Sequence, residues 1–264
     1  MTEGGDVYYG TVATLYDLWL DTVDLGDEQF FQDAINQFGE PALELACGTG
    51  RLLLKYIERG MGVEGLDASA EMLDICRTKA LARGVKATLH HQSMRAMELP
   101  RKFRTVFCAA GSFTLLSDES DARAALTRIY DHLETDGRVV IALYVPWQNR
   151  HPTGPDPANE WYVRREAVRP EDGATARCSV RESHDPVGQL HHAHGHNEVI
   201  LDRRVVQTES FSLICRWWEP WQFVNLVTNA GFIDARVLDG YTNQRADDDA
   251  TLFPVVGTRP NFSG

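Results

Sequence analysis

The residues best equipped for chemistry lie close together in the first fifth of the chain: Leu43-Glu44-Leu45-Ala46-Cys47-Gly48-Thr49-Gly50-Arg51. An apolar strand ends there and a helix begins. Glycine at such a junction lets the backbone approach a bound molecule, and the unpaired N–H groups of a helix start favour a negative group. A dinucleotide fingerprint needs a third glycine three residues after Gly50, and that position is Leu53. The G-K-[S/T] ending of a phosphate loop is missing too. The loop therefore suits a small anionic group, such as a carboxylate, better than a pyrophosphate. A second element, Gly65-Leu66-Asp67-Ala68-Ser69, closes the next strand. An acid about 20 residues beyond the first strand is placed to bind the two hydroxyls of a ribose. A loop for an amino-acid tail together with an acid for a ribose describes S-adenosylmethionine (SAM).

A third cluster is Leu190-His191-His192-Ala193-His194-Gly195-His196. On a strand, His192, His194 and His196 share one face and His191 takes the other. Zinc needs three or four ligands, and neither a Cys pair nor an acidic triad stands in register, so no metal is expected. His192 is the candidate base or acceptor-binding residue, weighed against a simply solvated strand face.

These residues need a scaffold, and the sequence supplies alternating strands and helices. Asp27 to Phe38 is apolar at helical spacing, with Asp27 as its expected cap and Gly39 as its stop. Strands are expected over 41–46, 62–66, 87–92, 106–110 and 138–145. Helices fall between them at 51–58, from Ser69 to Gly84 and over 118–133, and Asp136-Gly137 turns the chain into the apolar fifth strand. Such alternation argues for a parallel sheet covered on both faces, whose strand ends carry the ligand. Between Trp147 and Cys215 the pattern changes to β-rich runs separated by turns at Glu171-Asp172-Gly173, Asp185-Pro186-Val187-Gly188 and Asp202-Arg203. That reads as an antiparallel meander inserted into the α/β domain, giving residues 1–146 and 216–264 to the main domain and 147–215 to the insert. A helix opened by Glu219-Pro220 and two more strands, 232–238 and 251–258, complete the chain.

ELACGTGR, GLDASAEML, LHHQSMRAMELP and DHLETDGRVVIAL, in that order and spacing, resemble the class I SAM-dependent methyltransferases over about residues 7–146 and 216–260. The insert and the pair Tyr16-Asp17 are similar to small-molecule members such as the deoxysugar N-methyltransferases. The resemblance implies a Rossmann-like sheet of seven mostly parallel strands with helices on both faces. It implies that Glu44 and the backbone of Ala46, Gly48 and Gly50 hold the methionine end of SAM. Asp67 would take the ribose hydroxyls, Ala68 would also contact the cofactor, and Met72 would pack on the adenine. Gln92, Ser93 and Met94 would edge that ring, and Ala109 and Ala110 would floor the site. Ser93 stands where the family usually has Asp, and Thr105 replaces a frequent Asp.

The lid would be aromatic, from Tyr8, Tyr9, Tyr16 and Trp19, with Tyr16 a second catalytic candidate. Acceptor contacts are expected from Tyr9, Ser112, Phe113, Tyr144, Trp147 and Trp217, with Arg216 and Trp218 at the rejoining strand. The implied reaction is methyl transfer to N or O of a small molecule. A SAM-dependent cyclisation or other group transfer, and a non-catalytic SAM-binding protein, compete with it.

Composition narrows the partners. A net charge of −12 disfavours nucleic acid, whose phosphates demand Lys and Arg. Five scattered Cys (47, 76, 108, 178 and 215) read as reduced thiols of a cytoplasmic chain. No apolar run reaches membrane-spanning length. Exposed edges of the inserted sheet offer a route to a homodimer.

Overall fold

The computed structural model describes residues 8–20, 23–145, 160–247 and 250–261. Two short helices, α1 (Gly10–Thr14) and α2 (Tyr16–Leu20), precede α3 (Glu28–Phe38). Then follow β1 (Ala42–Leu45), α4 (Leu53–Glu58), β2 (Val63–Asp67), α5 (Ala70–Ala82), β3 (Leu89–His91) and β4 (Phe103–Cys108). After a 3₁₀ turn at Ser112–Leu115 come α6 (Glu119–His132) and β5 (Leu133–Tyr144). Four long strands, β6 (Tyr162–Val168), β7 (Thr175–Asp185), β8 (Leu190–Leu201) and β9 (Arg204–Arg216), lead into α7 (Pro220–Asn229), β10 (Ile233–Val237) and β11 (Leu252–Thr258).

The main sheet has seven strands in the order β10-β11-β5-β4-β1-β2-β3, and β11 alone runs antiparallel to the rest. The expected α/β class is what forms. Strand order reverses between β1 and β4, the crevice where open α/β sheets bind ligands. Alternation in β1 sends Leu43 and Leu45 into the core under α6 and α7, with Leu126, Ile129, Phe223 and Leu226. Ala42 goes to the opposite core with Phe31, Ile35, Leu53 and Leu73 from α3, α4 and α5. Glu44 shares that second side.

Ser69 caps α5 as expected, accepting from the Met72 amide at 3.2 Å. Glu219 and Gln222 form a capping box at α7, with Pro220 in the first turn. Other expectations need correction. Asp27 makes no side-chain cap; its carboxylate takes both arms of Arg51, at 2.7 and 2.5 Å. The fourth helix starts at Leu53, two residues late, because Gly50 still bends the chain at φ +82°. The third strand shrinks to Leu89–His91, which pairs only with the end of β2. Asp136-Gly137 is a bulge inside β5, whose pairing with β4 jumps from Phe103↔Leu133 to Thr105↔Arg138. Asp136 N–H donates to Arg259 O at 3.0 Å and Arg259 N–H to Gly137 O at 2.9 Å, so β11 secures the bulge.

Strands β6 to β9 form a separate antiparallel sheet in sequential order, the expected meander. Its last tight turn uses Asp202 and Arg203, both at positive φ, as a two-residue hairpin requires. The inner face carries Ala176, Cys178 and Val180, which pack on Leu15 and Trp19. Asn197 donates to the Thr11 hydroxyl at 3.3 Å, so α1 and α2 lie against this sheet. All five cysteines are buried free thiols.

Candidate functional site

The glycine-rich bend after β1 is built from left-handed residues: Ala46 at φ +53°, Gly48 at +55° and Gly50 at +82°. An L side chain at such an angle is strained, and the strained Ala46 lies on the wall of a cavity of about 780 Å³. That volume is in the range of small-molecule sites. The two glycines do different work. A Cβ on Gly48 would stand 3.2 Å from Met72 Cε and 3.9 Å from Tyr16 Cε1, narrowing the cavity. One on Gly50 would stand 2.6 Å from Cys76 Sγ and 2.9 Å from Leu54 Cγ, so Gly50 serves helix packing and is absent from the wall.

Asp67, at the tip of β2, is clasped by main chain. Its Oδ2 accepts from Gly48 N–H and its Oδ1 from Ser69 N–H, each at 2.8 Å. Burial pushes its carboxyl up, and the amides of Ser69 and Gly48 oppose that shift. A carboxylate has about four lone-pair sites, so two remain for a ligand's hydroxyls. Glu44 is only 4% exposed, and its Oε2 has no hydrogen-bond partner among the described residues. Burial pushes the Glu44 carboxyl up to about 8; Arg51 opposes the shift, while Asp27 and Asp67 add to it.

The lid is tied to this floor. Ser69 Oγ donates to Tyr8 O at 2.6 Å, and Gly10 N–H donates to Glu71 Oε2 at 2.6 Å. Thr49 Oγ1 donates to Asp17 Oδ1 at 2.6 Å, and Lys79 Nζ to Asp17 Oδ2 at 2.9 Å. From the other side, Thr11 N–H donates to Glu209 Oε2 of β9 at 2.6 Å. Tyr8 and Tyr16 meet edge to face at 5.6 Å, and both line the cavity with Tyr9. Burial pushes the Tyr16 phenol up to about 12. A phenol so raised stays protonated at neutral pH, and Tyr16 keeps its place on the wall.

Ala68, Met72, Ser93, Met94 and Ser112 line the cavity as expected. Gln92 does not: its side chain accepts from Glu98 N–H at 2.7 Å and donates to Glu98 O at 3.2 Å. Ala109 is buried in the core under α3 to α5. Phe113 is fully buried, edge to face with Phe223 at 5.3 Å, and Trp217 is 4% exposed, so neither sits on the cavity wall. Tyr144 stands over Gly111, where an added Cβ would meet its ring at 2.2 Å. Trp147 lies outside the described residues.

Sequence reasoning missed Arg95 and Asp121, paired at 2.6 Å on the wall, and residues 210–214 of β9. Arg95 directly follows the Ser93-Met94 pair that was singled out; the β9 stretch carries only the alternation of a half-buried strand. His192 is not itself on the cavity wall, though its cross-strand partner Ile214 is. Alternation on β8 sets His191 with Ala193 and Asn197 on the face toward α1, and His192 on the reverse, paired with Ser183 and Ile214. Among the described residues no group of three His, Cys, Asp or Glu is arranged to hold a metal ion, and no helix is long and apolar enough to cross a membrane.

Comparison with known proteins agrees with this geometry. Residues 42–137, which contain both the bend and Asp67, match the family described as methyltransferase domain. The chain is 41% identical over 106 residues to the dTDP-3-amino-3,6-dideoxy-alpha-D-glucopyranose N,N-dimethyltransferase of Streptomyces fradiae, covering 40% of this chain and 38% of that one. It is 32% identical over 151 residues to the dTDP-3-amino-3,4,6-trideoxy-alpha-D-glucopyranose N,N-dimethyltransferase of Streptomyces venezuelae, covering 56% and 59%. The chain thus spans about half the length of the curated relatives it matches. The structure of the CcbJ methyltransferase from Streptomyces caelestis has the same fold, with a TM-score of 0.78 over 98% of this chain and 100% of that one at 22% identity. Residues 42–137 thus resemble a methyltransferase domain, and the chain has the fold of solved methyltransferases, with a four-stranded antiparallel sheet inserted between β5 and α7.

Proposed function

We propose that this chain is a SAM-dependent methyltransferase acting on a small molecule, and that its acceptor atom is an amine nitrogen on a compact, sugar-like substrate. The observation that carries the cofactor reading is the orphaned Oε2 of buried Glu44 beside the Gly48 bend, one strand from the amide-clasped Asp67. The residues fit SAM: an ammonium group would satisfy Glu44, and a ribose would use the remaining lone pairs of Asp67. Met72 and Met94 would flank the adenine, with Ser93 at its edge. The amine and the sugar come from the amino-sugar N,N-dimethyltransferases to which the chain is similar.

Bound SAM supplies a methyl group on a sulfonium, already activated for displacement. The protein then needs only to orient the acceptor and exclude water, and positioning of that kind can lower a barrier by about 7–11 kcal/mol. Tyr8, Tyr9 and Tyr16 close one side of the cavity, and residues 210–214 of β9 wall the other. The inserted sheet would thereby cover the acceptor pocket, favouring a compact substrate over a polymer.

The test is a transfer assay with methyl-labelled SAM against amino sugars, sugar nucleotides with and without an amine, and their hydroxyl analogues. Label appearing in an amine with stoichiometric release of S-adenosylhomocysteine (SAH) supports the reading. SAH formed with unmethylated product, or label on an oxygen, refutes the amine assignment.

A further inference from the structure

The lid is gripped from two sides at a single dipeptide. Gly10 N–H donates to Glu71 Oε2 and Thr11 N–H donates to Glu209 Oε2, each at 2.6 Å. Glu71 belongs to α5, and the next residue, Met72, lines the cavity. Glu209 belongs to β9, and the next five residues, 210–214, line the same cavity. Tyr9, directly before the dipeptide, lines it as well. Neither carboxylate is itself on the wall. Two successive amides of the lid thus join the helix on the donor side to the strand on the other.

The sequence is fitted to this grip. Gly10 sits at φ +53°, and an added Cβ would run into both carboxylate oxygens of Glu209. Thr11 is 2% exposed, and its hydroxyl takes a second tie from the inserted sheet, from Asn197 Nδ2 at 3.3 Å.

The two attachments differ in kind. Leu15 and Trp19 are buried with Ala176, Cys178 and Val180 of the insert and belong to neither core of the main sheet. Phe211 of β9, on the cavity wall, packs against the same cluster. Toward the floor the lid is held by hydrogen bonds, with Ser69 to Tyr8, Gly10 to Glu71, and Thr49 and Lys79 to Asp17. Water replaces a hydrogen bond at small net cost, whereas parting packed apolar side chains forfeits their burial. The lid therefore leaves the floor more readily than it leaves the insert.

We propose that Glu71 and Glu209 are a pair of positioning residues that couple the two sides of the cavity. Glu71 latches the lid over the bound donor, and Glu209 passes the closed position to the β9 wall. Filling the donor site then orders residues 210–214. Linkage makes the effect reciprocal: whatever steadies that wall also holds the donor more tightly. The proposal rests on the methyltransferase reading above.

Hydrogen–deuterium exchange of the full chain with and without SAH tests it, together with SAH dissociation rates by stopped flow. In the wild type, SAH should slow exchange both in residues 8–20 and in residues 210–214. Glu209→Ala should keep the first protection and lose the second, and Gly10→Ala, which displaces the Glu209 carboxylate, should repeat that loss. Glu71→Ala should release SAH about fivefold faster. Glu71→Gln, which keeps an oxygen for the Gly10 amide, should restore most of that difference. If Glu209→Ala fails to fold, Gly10→Ala decides by the same reading. Protection of 210–214 that survives loss of the Glu209 contact, or equal dissociation from wild type and Glu71→Ala, would overturn the proposal. Failure of SAH to bind would sink the methyltransferase reading. The clamp would then stand or fall on ligand-free exchange of 210–214, which should be faster in Glu209→Ala than in the wild type.

Discussion

On the floor of the cavity, Asp67 is held by two main-chain amides and Gly48 bends the backbone toward the open space. The facing wall is made of side chains drawn from α1, α2 and β9, far apart in sequence and fastened by carboxylates such as Glu71, Glu209 and Asp17. A backbone floor is fixed by the fold, so side-chain substitution changes it little. A side-chain wall can change its substrate by substitution without disturbing the sheet beneath. The proposed function assigns the cofactor to the floor and acceptor choice to the wall.

Removing the floor's acid should give the largest effect. Asp67→Ala frees two amides and loses the proposed ribose contact, costing about 3 kcal/mol, on the order of a hundredfold in SAH affinity by calorimetry. An unchanged affinity would move the ribose elsewhere and erase the contrast between floor and wall. The two glycines separate binding from packing. Gly50→Ala, which drives a methyl into Cys76 and Leu54, should cost about 2–3 kcal/mol in denaturant unfolding and leave affinity near wild type. Gly48→Ala should do the reverse, losing about tenfold in affinity for about 1 kcal/mol of stability.

Glu44 gives the contrast a pH signature. Its carboxyl rises from an ordinary 4.5 to about 8 in the fold. Between those values the folded chain binds a proton that the unfolded chain has lost, so this group makes ligand-free stability fall as pH rises from about 4.5 to about 8. Glu44→Gln should flatten that slope in melts across pH. The smallest effect is expected at His192, which is not on the cavity wall. His192→Ala should change stability by under about 0.5 kcal/mol and leave turnover intact, whereas a loss of activity would restore His192 as a functional residue.

Much of the floor was legible because its residues lie within one strand–helix–strand run. Gly48, Asp67 and Ser69 need only the local bend, the strand end and the cap to be placed. Gly50 was legible as a glycine, but its crowding against Cys76 depends on how α4 and α5 pack. Gln92 sits in the right loop, yet its amide closes on Glu98, a competition that spacing does not reveal. Phe113 and Trp217 follow the right strands, and the core absorbed both, since a large apolar side chain is worth more buried than poised at a rim. The histidine strand was read with the correct alternation, but which face turned inward depended on where α1 and α2 came to rest. Arg95 and residues 210–214 acquire meaning only when β9 is laid against the ends of β2 and β4.

The central claim is that buried Glu44 and amide-held Asp67 form one end of a SAM site. Calorimetric titration with SAH near neutral pH, in two buffers of different ionisation enthalpy, tests it most directly. The account predicts saturable binding whose heat differs between the buffers, because Glu44 gives up its proton on meeting the ligand's ammonium group. No binding heat at millimolar SAH, or binding with the same heat in both buffers, would contradict it.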